Sequence, residues 1–375
     1  MPDLFDKTQI KSLELANRSL RSATWTGTGD EKGYVTEATI ALYRKLARGG
    51  IGLIVTGYQY VMQNGMQLPY MLGIYEDGQI EGLARLAATV HESGGKIVPQ
   101  VVHTGVRANQ ELMPPGYEVW GPSATADPAT GLIPHEVTKK EIGTLVEGYA
   151  AAARRAKEAG FDGVQLHGAH GYGINQFLSP LWNRRGDAYG GTLQNRYRFL
   201  AEVLEAIRGT VGEDFPVLIK LSGHDFAEGG LLPGETVEIG KRLADDGIDA
   251  IEVSGGSQVS RKGFSPVRAQ ILKPEQEAYL VDLAAAFKAS VGVPIVTVGG
   301  IRSLKTVNDI LSEGKADYVA MSRPFVREPG LVNRWKQGDT AKARCISCMG
   351  CFESGLQGKG ISCKVEREKT EKSES

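Results

Sequence analysis

The chain has 375 residues, more than an average domain yet within the range of a single barrel with insertions. Its 43 Lys plus Arg against 44 Asp plus Glu leave a formal net charge of -1, which gives no electrostatic drive toward nucleic acid or an anionic membrane and points to a small-molecule partner. The N-terminus has no basic segment leading into an apolar run, and no stretch reaches membrane-spanning length, so a soluble, cytoplasmic protein is expected.

In chain order, eight short apolar, β-rich runs alternate with segments of helical periodicity. Strand 20–24 precedes helix 36–48, strand 51–56 precedes helix 79–93, and strand 97–102 precedes helix 139–159. Strands 163–167, 217–221 and 250–254 precede helices 193–210, 233–246 and 277–290. Strands 295–298 and 318–322 precede helices 303–312 and 330–336. Glycines punctuate the returns, as at Gly49-Gly50, Gly94-Gly95, Gly160 and Gly247. Repeated βα units imply a parallel sheet, and eight of them close into a (β/α)8 TIM barrel. The chain thus divides into a barrel, 1–340, and a cysteine-bearing extension with a polar tail, 341–375.

Chemistry in such a barrel collects where the strands end, so those positions are read first. The fourth strand runs into His167, His170 and Tyr172, with Gly168, Gly171 and Gly173 between them permitting close approach to something flat. A His-x-x-His pair also fits loop histidines that satisfy backbone groups, or a metal pair. Strands seven and eight end in Gly299-Gly300 and Ser322-Arg323, where glycine amides, the helix beginning at Ser303 and a guanidinium suit a phosphate dianion. Lys220 ends the fifth strand, and a buried ammonium without a partner is costly, which marks it as functional. The long connection 104–137 is expected to form part of the substrate pocket.

All four cysteines fall in the pattern Cys345-x2-Cys348-x2-Cys351-x11-Cys363, which suits tetrahedral zinc or a cubane iron-sulfur cluster. Spacing alone does not choose between them.

Residues 163–191, GVQLHGAHGYGINQFLSPLWNRRGDAYGG, closely resemble the segment after the fourth barrel strand in the old yellow enzyme family of FMN-dependent oxidoreductases, through FLSP, Asn183-Arg184-Arg185 and the DAYGG run. The likeness covers about residues 4–334. It implies FMN bound by Ser22, Ala23, Thr24, Gly57, Gln100, His167, Lys220, Gly299, Gly300, Ser322 and Arg323, with Gln100 at the pyrimidine edge and Lys220 near N1 and the C2 carbonyl. It implies that NAD(P)H supplies hydride, that His167 and His170 hold the carbonyl oxygen of an α,β-unsaturated substrate, and that Tyr172 protonates the α-carbon. Two positions depart from many relatives: Lys220 stands for Arg, and Trp25 for a Thr or Cys that tunes the flavin.

The cysteine pattern is similar to that of 2,4-dienoyl-CoA reductase and trimethylamine dehydrogenase, and so favours [4Fe-4S] over zinc. Those proteins continue into nucleotide-binding domains, whereas here no glycine-rich dinucleotide fingerprint follows the cluster. Electrons are expected from NAD(P)H directly, or through the cluster from a separate electron-transfer protein. The second reading is an oxidative amine dehydrogenase, and the third is an electron-transfer subunit. A homo-oligomer is expected.

Overall fold

The computed structural model describes residues 2–374. Eight strands form a closed barrel: β1 Ser19–Arg21, β2 Leu53–Tyr60, β3 Ile97–Val102, β4 Val164–Gly168, β5 Val217–Ser222, β6 Ala250–Ser254, β7 Ile295–Val298 and β8 Tyr318–Met321. Each pairs in parallel with its neighbour in sequence, and β8 closes on β1, with Val319 opposite Ser19. This is the TIM barrel expected from the alternation. Burial from both sides explains why β5 and β6 read as nearly continuous apolar runs rather than alternating ones.

The surrounding helices are α1 Glu37–Ala47, α2 Ile80–Glu92, α3 Lys139–Glu158, α4 Gly173–Leu178, α5 Leu193–Val211, α6 Pro233–Asp245, α7 Val281–Lys288 and α8 Leu304–Ser312. They are followed by α9 Arg323–Arg327, α10 Leu331–Lys336, α11 Glu353–Leu356 and α12 Lys364–Glu374. The start of α3 is set by a capping box in which Thr138 and Glu141 satisfy each other's amides. None of the helices among the described residues is long and apolar enough to cross a membrane.

The barrel interior is apolar at one end and polar at the other. An N-terminal hairpin, Thr8–Ile10 against Leu13–Leu15, packs Ile10, Leu13 and Leu15 onto Leu20, Leu53, Val98 and Val296, and so plugs the end where the strands begin. Toward the opposite end the inward positions turn polar, which is where a site has to be.

Four local readings need correction. The helix expected at 277–290 starts only at Val281, because Glu277 is used to accept from the Arg302 and Ser303 amides and Ala278 sits at φ 53°. Helix α4 was not anticipated: all six residues are buried, so it shows no amphipathic period. The polar tail is helical as α12, tied to the barrel by Arg327 on Glu366 at 2.7 Å. Finally, none of residues 104–137 lines the main clefts; Gly105, Trp120, Gly121, Pro122 and Val137 instead border a separate apolar pocket of about 260 Å³.

Candidate active site

Two adjoining clefts open over the strand ends, of about 710 and 1080 Å³ counted to their open mouths. Ser22, Ala23, Lys220, Gly299, Gly300, Ser322 and Arg323 line the first. Thr24, Gln100, His167, His170 and Tyr172 line the second, and Ala23, His170, Lys220 and Ser322 border both. Of the residues expected around a flavin, Gly57 alone stands back from these walls; it packs under the Thr24 carbonyl, which a Cβ at Gly57 would meet at 2.8 Å.

Strand register builds the floor. Lys220 on β5 is level with His167 on β4 and with Glu252 on β6, which places three ionisable side chains in one row. Lys220 Nζ lies 2.9 Å from Glu252 Oε1 and donates to Ser22 Oγ at 2.6 Å, while Ser22 Oγ donates to the same carboxylate oxygen at 2.6 Å. The other carboxylate oxygen accepts from Gln165 Nε2 at 3.0 Å, and Gln165 Oε1 accepts from Gln100 Nε2 at 2.7 Å. Lys220 is therefore not an unpaired ammonium. Glu252 was missed although its signal was in the sequence, a lone carboxylate inside the apolar run AIEVS.

The residues fit FMN on observations independent of any likeness. Gln100 Oε1 is buried with no partner among the described residues, so it can accept from a ring N–H. Gly299 and Gly300 have φ of 127° and 72°, and a Cβ on either would come within 2.9 Å of the Tyr279 ring. Only glycine holds this turn beside the cleft. Arg323, 7% exposed, has as its side-chain partner the Met349 sulfur at 3.2 Å, a weak acceptor that leaves the guanidinium free for an oxyanion.

Above this floor the three proton-capable residues meet. The His167 ring centroid is 5.2 Å from that of His170 and 4.8 Å from that of Tyr172. His167 Nδ1 accepts from the Ala169 amide at 3.3 Å, so in the neutral ring Nε2 carries the proton. Burial, His170 and Lys220 hold His167 well below the usual histidine range; burial and Lys220 push His170 down to about 3. Both imidazoles are neutral at pH 7. His170 sits at φ 64°, locked by its amide on Ser222 Oγ at 3.2 Å and by Nε2 on Ser254 Oγ at 2.7 Å. Burial raises the Tyr172 phenol, so it stays protonated. Its hydroxyl donates to Gln67 Oε1 at 2.8 Å, and Tyr58 donates to the same oxygen at 3.1 Å. Tyr58 reaches the cleft because the β2–β3 register shifts between Val55 and Tyr58, a bulge invisible to periodicity.

The cysteine extension closes one edge of the mouth. Phe352 lines both clefts and stacks on Trp25, with centroids 6.1 Å apart and planes at 29°. Ser347 and Met349 adopt positive φ, 54° and 69°, curling the loop so that the Ser347 amide points at Cys345 Sγ, 3.5 Å away. Cys351 is pushed up to about 12 by burial and by Cys345, Cys363 and Cys348. Among the described residues no three His, Cys, Asp or Glu side chains converge on a point that would hold an ion, so the expected set Cys345, Cys348, Cys351 and Cys363 is near-neighbouring but not closed.

Three comparisons bear on this geometry. The profile described as NADH:flavin oxidoreductase / NADH oxidase family matches residues 3–342. The chain is 37% identical over 370 residues to a metal reductase of Desulforamulus reducens, covering 98% of this chain and 54% of that one. It is 36% identical over 330 residues to an NADPH dehydrogenase of Clostridium acetobutylicum, covering 88% and 93%. Among solved structures, 2-naphthoyl-CoA reductase in complex with 2-naphthoyl-CoA superimposes with a TM-score of 0.89 at 29% identity, covering 97% of this chain and 56% of that one. The chain thus spans about half the length of the first curated relative and of this structure.

Proposed function

Because the chain belongs to the NADH:flavin oxidoreductase / NADH oxidase family, we propose that it is an FMN-dependent oxidoreductase that takes hydride from NAD(P)H and reduces the activated C=C bond of an α,β-unsaturated carbonyl compound. The observation that carries this reading is the convergence of two neutral imidazoles and a protonated phenol over one cleft. FMN, when bound, supplies the two-electron hydride chemistry. Ser22, Ala23, Thr24, Gln100, His167, Lys220, Gly299, Gly300, Ser322 and Arg323 would hold it, with Gly57 supporting the wall from behind.

The chain's own part is to polarise and protonate. His167 Nε2–H and the His170 ring donate to the carbonyl oxygen, drawing charge from the conjugated bond so that the β-carbon becomes the acceptor. Tyr172 gives its phenolic proton to the α-carbon by rotating its hydroxyl away from Gln67 Oε1, which accepts that proton in the resting site, and is then reprotonated from solvent. In this reading residues 1–340 form the flavin barrel and 341–375 an extension in which Cys345, Cys348, Cys351 and Cys363 would hold a [4Fe-4S] cluster, on the strength of their spacing and of the curled loop around Cys345.

A second reading is favoured by the aromatic rings of Trp25, Tyr58, Tyr172 and Phe352 around the cleft, which suit a cation. The protein is then an amine dehydrogenase passing electrons through the cluster to a separate protein. One anaerobic titration separates the two. The first reading expects NAD(P)H to bleach the flavin and 2-cyclohexenone to restore its colour; bleaching by a simple amine, with no response to the enone, would replace it.

A further inference from the structure

The connection from β6 to α7, residues 255–280, carries Arg261, Lys262, Arg268 and Lys273; its two carboxylates, Glu275 and Glu277, both follow the last of these cations, so residues 255–274 hold positive charge alone in a chain whose net charge is only -1. Among the described residues none of the four lies within 4.0 Å of a carboxylate. Arg261, Lys262 and Lys273 are exposed.

These cations are mounted on an aromatic ladder. The Arg261 guanidinium lies 4.0 Å from the Phe264 centroid; Arg268 lies 5.0 Å from the same ring and 4.1 Å from that of Tyr279. Phe264 continues to Phe226 at 4.9 Å. One end of the ladder is therefore Tyr279, which borders the cleft beside Gly299 and Gly300. The same connection supplies Gln258, Ser265, Pro266 and Val267 to the cleft wall, so it lies beside a long molecule whose reacting end is inside. Stacking on ring faces uses up little of a guanidinium's donor capacity, which stays in its plane and points outward.

Resting on the reading given above, we propose that this arm binds the phosphate-bearing nucleotide end of a molecule whose reacting end occupies the cleft. Arg261 and Lys262 take the phosphates, with the Phe264 ring holding the Arg261 guanidinium in place. Two sources carry that chemistry: the adenine dinucleotide of NAD(P)H and the adenosine phosphate of an acyl-CoA thioester.

The test uses the FMN-loaded full chain with R261S/K262S, neither of which borders the clefts, followed by stopped flow. In the reductive half, NADH and NADPH are compared with reduced nicotinamide mononucleotide; in the oxidative half, crotonyl-CoA is compared with crotonyl-pantetheine, and 2-cyclohexenone is the neutral control. Loss of two charged contacts is expected to weaken one nucleotide-bearing ligand by roughly tenfold or more, and to flatten its salt dependence. The truncated partner and the enone should be unaffected, and R261K/K262R should restore binding. Whichever half responds identifies the source. Unchanged binding of NADH, NADPH and crotonyl-CoA would overturn the proposal, as would equal losses for the truncated ligands. Failure of every unsaturated carbonyl to reoxidise the parent protein would count against the reductase reading, and the NAD(P)H arm would still decide this one.

Discussion

Lys220 Nζ sits 2.9 Å from Glu252 Oε1 inside the barrel, with side-chain exposures of 4% and 0%. The two charges come from adjacent strands at level register, and each has further partners in Ser22 and Gln165. A pair so fully desolvated contributes little net stability, yet breaking it strands a charge. Glu252→Leu should lower stability by about 3–5 kcal/mol, read as a clear fall in Tm. Lys220→Met/Glu252→Leu should recover much of that loss, because no lone charge remains. Equal Tm losses in the single and double variants would show that the site depends on shape rather than charge.

That pair also marks how far the sequence could be read. Barrel, strand count and most strand-end residues were legible because each βα unit repeats the same pattern of apolar run, glycine and amphipathic helix. The cysteine spacing was equally plain. Hidden were features that depend on which strand lies beside which: Glu252 opposite Lys220, Tyr58 turned inward by a bulge, and Phe352 brought onto Trp25 from a residue more than three hundred positions away. The role given to residues 104–137 failed for a related reason, since loop length does not say which side of the mouth a loop covers.

Removing the phosphate cation should release the cofactor. Arg323→Ala takes away the guanidinium that stands by Gly299 and Gly300, and FMN should be held about tenfold less tightly or worse. Equilibrium dialysis of the purified variant measures this; parental affinity would place the phosphate elsewhere.

Buried neutral histidines tie stability to pH. His103 is pushed down to about 4 by burial, and its Nδ1 accepts from the Gly105 amide at 3.1 Å, a neutral ring's arrangement. An unfolded histidine titrates near pH 6.5, so below that value the unfolded chain takes up a proton that the folded chain refuses. Stability should be constant above about pH 6.5 and fall by roughly 1.4 kcal/mol per pH unit for each such histidine as pH drops toward 4. His103→Gln should make the fall shallower in chemical denaturation between pH 7 and 4.5; an unaltered slope would assign the pH dependence to other groups.

The cysteine extension should bind iron when the protein is purified without oxygen. Analysis is expected to find about four irons and four acid-labile sulfides per chain, with Cys351→Ser abolishing both. One zinc per chain and no sulfide would make the extension a structural metal site.

The central claim, that Tyr172 is the acid of a carbonyl-polarising site, is tested most directly by following both half-reactions of Tyr172→Phe in anaerobic stopped flow. Flavin reduction by NAD(P)H should proceed at the parental rate, while reoxidation by 2-cyclohexenone slows by about 10²-fold or more, the scale of a general acid. An unchanged reoxidation rate would contradict the account and leave Tyr172 a packing residue beside Tyr58.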